Sequence, residues 1–171
     1  MAVLLFVAVA CGSGAEKRTR ALDDAAARRL IGAWDVTLWL DRPVSMAATS
    51  QPLPVRVSGT MAFVENHYDQ PSFPELEAPT HSGVYDVNLS VFGVPPHDDG
   101  GATVIARAAR NTVGGQRDSV FIVMNPGQRT ALLLRGTFER DSVVGAWTSE
   151  SLVGGGGRFV LVRRVGANRG T

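Results

Sequence analysis

A chain of 171 residues suits one domain, and a hydrophobic content of 44% is enough to build its core. A formal net charge of +1 excludes a surface built on bulk charge, so nucleic acid is not an expected partner. The same composition excludes disorder for the body of the chain.

Met1–Ala10, MAVLLFVAVA, is an uninterrupted apolar run. It is too short to cross a bilayer as a helix, which takes about 20 residues, and it fits the apolar core of a signal peptide, about 7–15 residues. Cys11 follows at once and is the single cysteine of the chain. Ala8-Val9-Ala10-Cys11 resembles the bacterial lipobox. That resemblance implies cleavage before Cys11, acyl chains on its sulfur, and a tether over 11–20 that includes Gly12, Ser13, Gly14 and Ala15. Gly12, rather than Asp, follows the cysteine, which by the same resemblance implies sorting to the outer membrane. The partner expected at this end is therefore the membrane of a bacterial envelope. The competing reading is an ordinary secretory signal followed by a chance cysteine. No Lys or Arg precedes the apolar run, which leaves open a start upstream of Met1.

Glu16–Arg20 is a charged spacer, and Ala21–Leu30 is helix-prone. Asp23 and Asp24 favour its start, Arg28 and Arg29 its end, and Leu22, Ala26 and Leu30 recur at helical spacing. A short helix over one mouth of the fold is expected, against a frayed linker. Leu30–Leu40, LIGAWDVTLWL, then alternates with period two. Trp34, Val36, Leu38 and Leu40 share a wholly apolar face, while Asp35, Thr37 and Trp39 share a mixed one, the pattern of a strand with one face in a core. Gly32 beside Trp34 suggests a kink or a close backbone approach. VVGAWTSES at Val143–Ser151 partly repeats this stretch.

Seven further strands are expected. Arg42–Pro54 is a long loop, and Val55–Asn66 follows with Val55, Val57, Gly59, Met61 and Phe63 on one face. His67–Ser82 is a second long loop with three prolines, Pro71, Pro74 and Pro79. Gly83–Phe92 points Tyr85, Val87, Leu89 and Val91 one way. After the turn-dense Val94–Gly101 come Ala102–Arg110, Asp118–Asn125, Thr130–Arg140, Asp141–Ser151 and Arg158–Val165, mostly separated by turn signals. Asp118–Asn125 alone lacks clean alternation. Val165–Thr171 reads as a loose tail. The expected fold is all-β, an eight-stranded antiparallel up-and-down barrel over 21–165 with a short N-terminal helix, because closure removes exposed strand edges.

Gly32-Ala33-Trp34 in a first strand, after a short helical lead, resembles the Gly-x-Trp motif of lipocalins and the wider calycin group. In that group an Arg or Lys from the last strand packs across the tryptophan, a role that the resemblance assigns here to Arg163 or Arg164. An up-and-down path brings the end of the eighth strand beside the start of the first, within cation–π reach of Trp34.

The sequence holds no catalytic constellation, and no enzymatic activity, metal or cofactor is expected. His67 and His81 fall in one long loop and His97 in the next connection, at the other end of an up-and-down barrel. Asp98/Asp99 and Glu75/Glu77 are loop pairs, and inward polar groups are limited to Tyr85, Thr130 and Thr148. What remains is the barrel mouth. Its lining is expected from Leu38, Leu40, Val55, Val57, Leu89, Val91, Val104, Leu132 and Phe159, with Arg42–Pro54 as a lid. Such a lining suits a small hydrophobic or amphipathic ligand. The alternative is a filled barrel with no small-molecule ligand, acting as a structural or protein-interaction lipoprotein.

Overall fold

A computed structural model describes residues 25–42, 54–65, 81–92, 103–109, 117–126, 131–149 and 155–165. Eight antiparallel strands pair in chain order and close on themselves: β1 (Gly32–Arg42), β2 (Val55–Val64), β3 (His81–Asp86), β4 (Thr103–Ala109), β5 (Ser119–Met124), β6 (Leu132–Glu139), β7 (Ser142–Ser149) and β8 (Gly156–Arg163). The ring is sealed by β1 on β8, where Trp34 pairs with Arg163 and Leu38 with Phe159. The all-β eight-stranded barrel with one short helix is thus the fold of the protein. No helix among the described residues is long and apolar enough to cross a membrane.

The period-two pattern explains the wall. Trp34, Val36, Leu38 and Leu40 of β1 are at most 1% exposed, and they alternate with the more exposed Asp35, Thr37, Trp39 and Asp41. The same alternation places Met61 and Phe63, Val104, Ala106 and Ala108, Ile122 and Met124, Leu134 and Phe138, Val143 and Trp147, and Phe159 and Leu161 in one continuous core. Burial of this apolar surface is the main force that closes the barrel. Both GAW triplets send their tryptophan inward, Trp34 at the start of β1 and Trp147 near the end of β7.

Several boundaries differ from the sequence pattern. Leu30 closes the helical lead, so β1 begins at Gly32, whose φ of 117° makes the corner that only glycine takes without strain. β3 begins two residues early, at His81, and its ladder ends at Asp86; the chain then turns through a 3-10 segment, Ser90–Phe92. His81 is therefore a buried strand residue and not part of a loop. β8 starts inside the glycine run, at Gly156, because a side chain at Gly157 would fall on the carbonyl oxygen of Trp39 across the β1–β8 seam. Thr148 faces outward, since Val143 and Trp147 hold the inner parity of β7. β5 lacks alternation because it is buried on both sides: Ile105, Val123, Ala131 and Leu133, with Phe121 packed against them, form a second cluster on the outer wall.

The segment 1–20, read above as signal and tether, the expected helix start at 21–24, most of the loop read as a lid, His67, His97, Asp98, Asp99, Glu75, Glu77, Thr130 and residues 166–171 lie outside the described residues.

Candidate functional site

The helical lead (α1, residues 25–28) sits under the end of the barrel where β1 begins. Ala26, Ala27 and Leu30 are buried against the core. The helix ends in tight turns, with the N–H groups of Arg29, Leu30 and Ile31 donating to the carbonyls of Ala26, Ala27 and Arg28. The next three carbonyls, of Arg29, Leu30 and Ile31, meet donors from the barrel. The Trp34 indole nitrogen donates to the Leu30 carbonyl at 2.7 Å. Arg163 donates from one guanidinium nitrogen to Ile31 at 2.9 Å and from the other to Arg29. The same guanidinium lies over the Trp34 ring, 4.3 Å from its centroid. Arg164, the other candidate for that role, turns outward and pairs with Asp35 at 2.7 Å. Arg29 completes the plug with its guanidinium 3.9 Å from the Phe138 ring and 3.0 Å from Asp118.

At the opposite end, the 3-10 turn lays Phe92 on Trp147, with ring centroids 5.1 Å apart and planes 20° apart. The Trp147 indole nitrogen donates to the Trp39 carbonyl at 2.9 Å, which fixes the ring against the wall. The nine lining residues expected at this mouth can now be placed. Leu38, Leu40, Leu89, Val104, Leu132 and Phe159 come together in the core, each at most 4% exposed, and Val55 and Val57 pack against them. Val91 stands in the 3-10 turn, and its side chain is outside the described set. Tyr85 is the inward phenol; it donates to the Asn125 side-chain oxygen, and burial pushes its pKa up to about 12.

A concave site also lies on the outer wall. Arg107, Phe121 and Arg135 are direct cross-strand partners on β4, β5 and β6. They line a groove of about 310 Å³ together with Ala109, Ser119, Val120 and Gly136. The Arg135 guanidinium lies 5.0 Å from the Phe121 ring centroid. Sequence reasoning missed this groove. Arg107 and Arg135 stand opposite the apolar faces of their strands in the sequence, but Phe121 lies in the run without alternation, and only the strand register puts the three in one row.

No family model, curated protein or solved structure matches the chain.

Proposed function

We propose that the chain is an envelope lipoprotein whose lipocalin-like barrel is a packed scaffold, held at the membrane through Cys11 and working through its outer surface rather than its lumen. The observation that carries this reading is the packing of the described inner face, with side chains seated toward both ends. Arg163, Trp34 and α1 plug one end, and Phe92 on Trp147 covers the mouth where a carrier barrel admits its ligand. The apolar positions that would line a binding cavity are instead packed with one another in the core. An eight-stranded barrel is about the size that its own side chains can fill. The Arg163–Trp34 contact supports the lipocalin-like part of the reading, being the arrangement that the resemblance implies. The Met1–Cys11 run supports the anchor.

The competing function is a barrel that carries a small hydrophobic molecule. Titration with the neutral apolar fluorophore N-phenyl-1-naphthylamine separates the two. A packed scaffold gives no saturable blue-shifted emission. A one-to-one saturable signal that Phe92→Ala strengthens would establish the carrier instead.

A further inference from the structure

We infer that the outer groove over β4, β5 and β6 is a binding site for a small anion carried on a flat ring, such as an aromatic carboxylate or phosphate monoester. Cross-strand neighbours on one face of a sheet are the closest side-chain pairs a sheet makes. Arg107 and Arg135 each hold that relation to Phe121. Adjacent strands are about 4.8 Å apart, so the two arginine backbones stand roughly 10 Å apart with an aromatic ring between them. Two guanidiniums at that separation can reach one carboxylate or phosphate group, and both match its geometry.

The groove has the size and composition for the rest of such a ligand. Its volume of about 310 Å³ lies at the lower end of small-molecule sites, which start near ~300 Å³. Phe121 and Ala109 give it an apolar wall, and no acidic side chain is among the described residues that line it. The Arg135 guanidinium lies over the Phe121 ring, and its N–H donors fan out in the plane of the group. A guanidinium has five such donors, so it can hold an anion while keeping its protein contacts. The groove floor is rigid: Phe121 packs against the second apolar cluster, and the Ser119 hydroxyl donates to the Ala109 carbonyl at 3.3 Å.

The same cross-strand row continues through Ala146 to a second arginine–aromatic–arginine unit, Arg158, Trp39 and Arg56. There both guanidiniums lie near the Trp39 ring, at 5.3 and 5.9 Å, but Asp41 neutralises Arg158 at 3.2 Å. The pattern of residue types is shared; in the Phe121 unit the described lining of the groove holds no carboxylate.

The site is independent of the lumen, so its failure would leave the scaffold reading standing. The test titrates the full chain with phenyl phosphate and benzoate, using inorganic phosphate and benzyl alcohol as probes of charge alone and ring alone, read by calorimetry and saturation-transfer NMR. At least one ring-bearing anion is expected to bind saturably, about tenfold or more tighter than either half-probe, with the better head group naming the ligand subclass. Arg135→Gln, at an exposed position that folding tolerates, is expected to weaken it about tenfold, and Phe121→Leu to weaken it as well. Arg158→Gln is expected to leave it unchanged. Absence of saturable binding, equal affinity for inorganic phosphate and phenyl phosphate, or indifference to Arg135→Gln in a variant with native melting would each overturn the assignment.

Discussion

Arg163 is the most informative single perturbation of the barrel, because one side chain joins its last strand, its first strand and the helical lead. The guanidinium rests 4.3 Å from the Trp34 centroid and donates to the carbonyls of Ile31 and Arg29. A partly desolvated cation–π contact is worth about 1–2 kcal/mol. A hydrogen bond from a charged donor contributes about 1.5–3 kcal/mol. These terms overlap, and Arg163 is only half-buried, so Arg163→Met is expected to cost about 3 kcal/mol. Arg163→Lys keeps a charge over the ring but cannot fork to two carbonyls, so it is expected to recover less than half of the loss. For a domain of this length the methionine variant should melt about 6–12 °C lower. The assay is urea unfolding followed by tryptophan fluorescence, with a double-mutant cycle against Trp34→Leu. A coupling of about 1 kcal/mol is expected for the pair. A methionine variant that loses under about 0.5 kcal/mol, with no coupling to Trp34, would refute the plug as a source of stability.

Tyr85 carries a pH signature. Its folded pKa of about 12 lies above the ordinary 10 because burial disfavours the phenolate. The neutral phenol is therefore favoured by folding, and its contribution is complete below pH 10 and lost as pH rises from 10 through about 12. The loss is at most about 2–3 kcal/mol, and Tyr85→Phe should flatten it in melts taken across that range. Gly157→Ala would drive a methyl onto the Trp39 carbonyl at the closing seam, so chemical unfolding should show a loss of about 4 kcal/mol or no folded protein; a native-like melt would contradict the register. Cys11→Ser expressed in a Gram-negative host is expected to move the protein from the membrane fraction to the soluble one, and unchanged retention would remove the lipid anchor from the account.

Much of the fold was legible because the barrel obeys period two. The inner faces of β1, β2, β4 and β6 can be read directly from Trp34–Leu40, Val55–Phe63, Val104–Ala108 and Leu132–Phe138. The strand ends were not legible, because they are set by neighbours distant in sequence. β3 loses its ladder after Asp86, and its predicted last residues form the turn that brings Phe92 onto Trp147. Gly156 and Gly157 read as a flexible turn, yet the seam with β1 needs residues without side chains there. His81 follows a stretch with three prolines and so looks like loop in sequence, although its parity with Tyr85, Val87 and Leu89 marks it as inward. The choice between Arg163 and Arg164 also waited on register: the residue paired with Trp34 is Arg163. The outer groove was the least visible feature, since a row across β4, β5 and β6 leaves no local pattern in any one of them.

The central claim is that the lumen is packed, and the measurement that tests it most directly is native mass spectrometry of the protein recovered from its own membrane, with an organic extract run beside it. The account predicts a chain beginning at an acylated Cys11, with no apolar molecule retained in stoichiometric amount. An apolar compound bound one to one and released only on unfolding would contradict it and make the barrel a carrier.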